Sequence, residues 1–301
     1  MTEMVPSPSA PPYRTDASPQ PLYGFDGTHY LPGPLTIGPW NPSAQHGGPP
    51  AGLMATLLEG FEGGDTMFLA RTTVELLRPV PLAPLVARVR LVRPGKKVQL
   101  VEASLWANGS PDDPAATEVV RAIGLRLRRG SADAHDLVQL AASVNADVDR
   151  RAAVQSEPGT GVLQEFEYDE GVGFGRRGFH AEAVELRFSK GAMQQQGPGT
   201  MWGRLLHPIV GTEPARGVPL AVALSDFGNA VSSVTDMDSW SFINADLTVS
   251  LHREPVGEWI CLDAVTHVSN LGVGLASSAL FDEKGPIGRA AATLLLEPRN
   301  P

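Results

Sequence analysis

One pattern occurs twice in this sequence, and it limits the possible folds more than any other feature. Gly47-Gly48-Pro49-Pro50 is followed by Leu53, Met54, Leu57, Leu58 and Phe61, a spacing that makes one apolar stripe on a helix. Proline is tolerated in a first helical turn, where its missing N–H would have no intrahelical partner. Gly60, Gly63 and Gly64 then end the helix. A strand over Thr72–Leu77 closes on Arg78-Pro79, and an alternating run through Leu85, Ala87, Val89 and Leu91 turns at Pro94-Gly95-Lys96. Strands Val98–Trp106 and Val119–Leu127 complete the set. In the second half, Gly217-Val218-Pro219 opens a helix with Leu220, Leu224, Phe227 and Val231 as its stripe. Strand Leu247–Leu251 closes on His252-Arg253-Glu254-Pro255, and strands follow in Trp259–Val265, Gly274–Phe281 and Gly288–Leu296. The helix proline precedes the closing arginine by 29 residues in the first half (49 to 78) and by 34 in the second (219 to 253).

A striped helix must bury its stripe, and only an antiparallel sheet is on offer here. The sequence therefore predicts an α+β duplication over 22–130 and 180–301, with central helices at 49–61 and 219–232. Residues 131–179 read as a connector, helical over Leu137–Val148 and Gly-rich loop and strand over Ser156–Gly178. Residues 1–21 are Pro/Ser-rich, without the basic and apolar regions of a signal peptide, and read as a disordered lead-in.

Composition narrows the function classes. The chain of 301 residues accommodates two domains, and 42% hydrophobic with 19% charged residues is a globular balance. The net charge is −9, and no basic run is denser than Arg126, Arg128 and Arg129. That balance argues against a nucleic-acid partner and against electrostatic docking on anionic lipid. No apolar run approaches the roughly 18–20 residues of a membrane span. The expected location is the cytoplasm. The one cysteine, Cys261, lies in a strand-like Trp259–Leu262 segment and reads as a small buried hydrophobe. The seven histidines show no i, i+3 or i+4 pairing, so no metal is expected. Gly173-x-Gly175-x-x-Gly178 fits a dinucleotide fingerprint by letter, but Ala181–Phe188 alternates like a strand where a helix should follow. No cofactor is expected.

Three features could carry chemistry. Gly47 and Gly48 leave backbone N–H groups sterically open at the positive end of a helix, suited to a carbonyl oxygen that gains charge. They could also simply permit a tight turn. His46 is a turn residue, a cap or a base. Asp226, six residues after Leu220, sits at the edge of the helix's buried face, as an acid/base group or a solvated charge. Trp40 and Trp240 could line a pocket or pack the core.

Gly38-Pro39-Trp40-Asn41, Gln45-His46-Gly47-Gly48-Pro49-Pro50 and Ser225-Asp226-Phe227-Gly228-Asn229 resemble the double-hotdog acyl-CoA thioesterase-like family. So do Phe242–Thr248, Leu251-His252-Arg253 and Gly257-Glu258-Trp259. The resemblance covers about residues 25–130 and 180–298 and implies two hotdog units, each a helix wrapped by an antiparallel sheet. In single-hotdog thioesterases an acidic residue follows His-Gly-Gly by about nine positions. Here the ninth residue after His46 is Ala55, and the ninth before Asp226 is Gly217. Each half thus keeps one part, and together they would make one composite site.

The resemblance implies hydrolysis of a fatty acyl-CoA to free acid and CoA, with Asp226 as base or nucleophile. His46, Gly47, Gly48, Trp40 and Asn41 would hold substrate. The family's water-holding Thr or Ser falls on Asn244, and its Gln on Ala292 or Thr293, of which only Thr293 could bind water. A weak or inactive acyl-thioester-binding protein is the alternative. An enoyl-CoA hydratase is a third reading, disfavoured because Asp226 has no histidine near it in sequence. The expected partners are acyl-CoA and further copies of the chain, as a dimer or higher, with no nucleic acid and no membrane.

Overall fold

The computed structural model describes residues 19–130, 137–143, 157–168, 176–193, 195–236 and 239–299. Its first half contains β1 (Tyr23–Phe25), β2 (His29–Pro32), α1 (Gly48–Glu59), β3 (Met67–Leu76), β4 (Leu85–Arg93), β5 (Val98–Ala107) and β6 (Thr117–Arg128). The connector supplies β7 (Val162–Leu163). The second half contains β8 (Val184–Lys190), β9 (Gly199–Leu205), α2 (Gly217–Ser225), α3 (Gly228–Val231) and β10 (Trp240–Asn244). It ends with β11 (Asp246–Leu251), β12 (Ile260–Val268), β13 (Val273–Asp282) and β14 (Gly285–Pro298). Within the expected helix at 137–148, residues 137–143 are helical and the remainder lies outside the described residues.

All strands join one antiparallel sheet in the order β1-β2-β4-β5-β6-β3-β11-β14-β13-β12-β9-β8-β7, with β10 also beside β14. Outward from the β3–β11 seam, the orders β3-β6-β5-β4 and β11-β14-β13-β12 correspond strand for strand, so the duplication is a two-fold relation in topology. At the seam Thr73 pairs with Thr248, and their hydroxyls lie 3.3 Å apart. The equivalence holds to single residues. In β3 the register slips at Ala70, between Leu69 and Arg71. Ala245 occupies the matching position (245 − 70 = 248 − 73 = 175) and separates β10 from β11, which pair in succession with β14. β10 and β11 are thus two arms of one bulged strand, and the bulge re-aims the side chain of Asn244 just before it.

The central helices are buried more completely than one stripe requires. Every residue from Gly48 to Ala55 and from Val218 to Ser225 is buried, because α1 and α2 pack on each other as well as on the sheet. Glycine makes that approach possible: a Cβ at Gly48 would lie 2.7 Å from the Ala223 carbonyl oxygen, and one at Gly52 would lie 3.0 Å from the Ala223 methyl. A helix apolar all round is what such a double contact demands. Cys261 is fully buried beside Trp202 and Phe281, and burial pushes its thiol pKa up.

The second helix departs from the expected continuous 219–232. It breaks at Asp226-Phe227: the Phe227 N–H donates to Leu224 O three residues back (3.1 Å), and Ser225 Oγ donates to Ala221 O (2.7 Å). Asn244 Nδ2 approaches the Asp226 carbonyl at 3.2 Å, and the helix resumes with Val231 N–H to Phe227 O. A side chain inserted into the helical ladder is a recognised cause of such a break. Among the described residues no helix is long and apolar enough to cross a membrane.

Candidate active site

The break places Asp226 at the start of α1, where the first half delivers His46 and Gly47. The segment carrying His46 is pinned on both sides: Gln45 N–H donates to Val80 O and His46 N–H to Thr36 O, each at 2.8 Å. His46 Nδ1 lies 2.8 Å from Asp226 Oδ2, with both side chains nearly buried. Asn244 Nδ2 donates to Asp226 Oδ1 (2.6 Å), and Asn229 Nδ2 donates to Asn244 Oδ1 (3.0 Å). The Gly48 N–H reaches the same cluster, 3.1 Å from His46 Nδ1 and within reach of the carboxylate. A Cβ at Gly47 would lie 2.8 Å from each Asp226 oxygen, so the carboxylate occupies the space a side chain there would need.

Burial alone pushes the Asp226 pKa up, but the His46 charge and hydrogen bond, the Asn244 amide and the Gly48 N–H together outweigh it. The carboxyl is held below the ordinary carboxylate range and stays ionised in an apolar setting. That setting comes from the rings of Phe179 and Phe227, each 5.0 Å from the imidazole. Phe179 belongs to the end of the expected connector. It is fixed there because Gly178, at φ +150°, lies against Ile37, whose carbonyl accepts the Phe179 N–H at 3.0 Å.

A cavity of about 800 Å³ opens beside the cluster and is shared by both halves. His46, Gly47, Trp40, Asn41, Asp226 and Asn244 line it, so the geometry gathers six of the eight expected site residues. Gly48 is not among the lining residues, since its N–H serves the Asp226–His46 pair. Thr293, the candidate for holding water at the position shared with Ala292, also stands apart, which corrects its place among the expected catalytic residues. Along β14 the residues Ala290, Ala292, Leu294 and Leu296 are buried, so Thr293 takes the exposed face. The strand's period of two forbids any other outcome. The inward residue at that pair is Ala292, which offers no polar atom. Trp240 is exposed and outside the lining, whereas Trp40 is inside with the Phe242 ring edge-on at 5.2 Å.

The complementary losses of the two repeats led to the expectation of one composite site from His46-Gly47-Gly48 and Asp226; the direct contact of His46 with Asp226, 180 positions away (226 − 46), was not part of it. Asn229 carried a weak signal, lying three residues after Asp226, where helical side chains share a face. Gln45 went unassigned. It lines the cavity, accepts the Tyr23 hydroxyl proton through Oε1 and donates from Nε2 to Pro81 O at 2.8 Å. Among the described residues no group of three His, Cys, Asp or Glu is placed to hold a metal.

Two helices on one continuous sheet, with a single site built between the repeats, define a double-hotdog protein. The chain belongs to the acyl-CoA thioesterase family: that family's N-terminal domain matches residues 36–127 and its C-terminal domain residues 150–296. The second match begins inside the stretch read as connector. Among solved structures, the chain is similar to a putative thioesterase from Novosphingobium aromaticivorans (TM-score 0.64, 15% identity, 92% of this chain and 99% of that one). It is similar as well to a hot-dog-fold protein of unknown function from Alicyclobacillus acidocaldarius (0.59, 15%, 92% and 95%). An acyl-CoA thioesterase II from Mycobacterium marinum aligns at 0.56 and 13% identity, over 86% of this chain and 90% of that one. At these identities the likeness is one of fold. No curated protein matches the sequence.

Proposed function

We propose that this protein hydrolyses a fatty acyl-CoA thioester to the free acid and CoA, with Asp226 activating the water. The observation that carries the reading is a buried carboxylate, kept ionised by three donors, facing a cavity of about 800 Å³. That volume suits a small-molecule site. In the proposed step Asp226 takes a proton from a water whose oxygen attacks the thioester carbon. The C–S bond then breaks, and the leaving sulfur is protonated. The Gly47 N–H, which no backbone acceptor takes among the described residues, would donate to the carbonyl oxygen. One such donor is worth about 10²–10³ in rate. Both ends of the Asn244 amide are engaged by Asp226 and Asn229, so Asn244 is a positioning residue that orients the base. The apolar lining from Val80, Ala230 and Phe242 suits an acyl chain, each buried methylene contributing about 0.8 kcal/mol.

The test is thiol release across acyl-CoAs of several chain lengths. Asp226→Asn keeps the shape of the side chain and removes the base, so it should lower kcat by about 10³-fold or more while the circular dichroism spectrum stays native. An unchanged rate in that variant would discard Asp226 as the base. Tight acyl-CoA binding with no turnover in the wild type would favour a binding protein instead.

A second reading gains from one observation. Hydration of an enoyl thioester was disfavoured because Asp226 has no histidine nearby in sequence, yet His46 lies 2.8 Å from it in space. Loss of enoyl absorbance, without thiol release, would identify that activity.

A further inference from the structure

Two arginines line the cavity and have no part in the proposed chemistry: Arg78, just beyond β3, and Arg299, just beyond β14. They come from opposite halves. Arg78 is exposed, and among the described residues no carboxylate forms an ion pair with it. The duplication makes that absence informative. Its counterpart in the second half is Arg253 (253 − 78 = 175), which grips Asp282 through two bonds of 2.5 and 2.6 Å. Asp282 ends β13 as Ala107 ends β5, and the same offset relates them (282 − 107 = 175). The first repeat thus keeps the arginine and has a methyl group where the second has the carboxylate. Arg299 stacks its guanidinium over Trp40 at 4.9 Å, and its Nε is buried with no hydrogen-bond partner among the described residues. Asp226, deep in the cavity, is the one acidic residue of the lining. A chain of net charge −9 therefore presents a cationic mouth above an anionic floor.

We propose that Arg78 and Arg299 determine specificity by binding the nucleotide phosphates of the CoA carrier. The inference rests on the thioesterase reading for which end of the substrate lies where. Guanidinium forks suit phosphate oxygens in paired hydrogen bonds, and stacking on Trp40 holds one fork in place at little entropic cost. The acyl chain and scissile carbonyl would then lie inward, toward Asp226 and Gly47.

The test compares acyl-CoA with the same acyl group on N-acetylcysteamine, which carries no phosphate, and measures CoA binding by calorimetry. In Arg78→Gln/Arg299→Gln the preference for acyl-CoA, as a ratio of kcat/KM values, should fall about tenfold, mostly through KM. The Kd for CoA should rise by a similar factor, and wild-type binding should weaken with salt. Arg78→Gln alone, at an exposed position, should show part of the effect without risk to folding. A preference that does not move, or a CoA affinity equal in wild type and variant, overturns the assignment. Because calorimetry needs no turnover, an inactive protein that binds CoA through these arginines would refute the hydrolase and retain the phosphate site. Binding of dephosphorylated pantetheine as tight as that of CoA would overturn the phosphate site whatever the turnover.

Discussion

For the proposed hydrolysis, Asp226 and His46 should decide the acid side of the pH profile. Burial by itself would raise the Asp226 pKa, and its neighbours, His46 foremost, hold it below the ordinary value of about 4. A group depressed in the fold keeps its ionised form, and whatever depends on it, until the pH falls through the folded value. Activity should therefore persist to below about pH 4 wherever the fold survives. His46→Gln removes the largest offsetting influence and leaves burial in place, so the acid limb of kcat/KM should move to higher pH. A limb that stays put in that variant would mean His46 does not hold Asp226 ionised. Asp226 itself was legible in the sequence through the complementary losses of the two repeats. The same losses tied it to the His46-Gly47-Gly48 turn, but the direct contact of imidazole with carboxylate was not legible, because no periodicity relates side chains on different repeats. The choice between Ala292 and Thr293 was legible in principle: Ala290, Leu294 and Leu296 already set which parity of β14 faces the core.

Among the elements, the β13–β14 hairpin depends on one charge. Asp282 accepts two bonds from Arg253 and further bonds from the Val256 and Lys284 N–H groups at 2.8 Å each. Burial pushes its pKa up, and these donors more than offset that, holding it below the usual range. The stability it brings is complete above the unfolded value of about 4 and is lost as pH falls through the folded one. Asp282→Asn leaves Arg253 facing a neutral amide. Since Arg253 is partly exposed, unfolding in urea should show a loss of about 2 kcal/mol at pH 7, shrinking toward acid pH. A variant as stable as the parent would show that the pair is ornamental to the hairpin. The helices and long strands were readable because their stripes and alternations are regular. β9 was not, since Gly199 to Gly203 are buried on both faces and leave no alternation to detect. β1 and β2, at three and four residues, are too short to show a period.

The whole molecule is a dimer's architecture drawn through one chain. Pairing β3 with β11 covers two strand edges that separate units would expose. The duplication could be read from the order of helix and strands, whereas the seam could not, because edge pairing leaves no local mark in sequence. The repeats differ in what they carry: the first has His46 and the glycines, the second Asp226 and Asn244. Two identical hotdog units related by symmetry would carry two equal sites. Here Gly217 stands where the second repeat would carry the histidine, and Ala55 where the first would carry the acid. In stoichiometric terms, a non-hydrolysable acyl-CoA analogue should saturate at one equivalent per polypeptide, however many copies assemble, so that occupancy counts chains and not repeats.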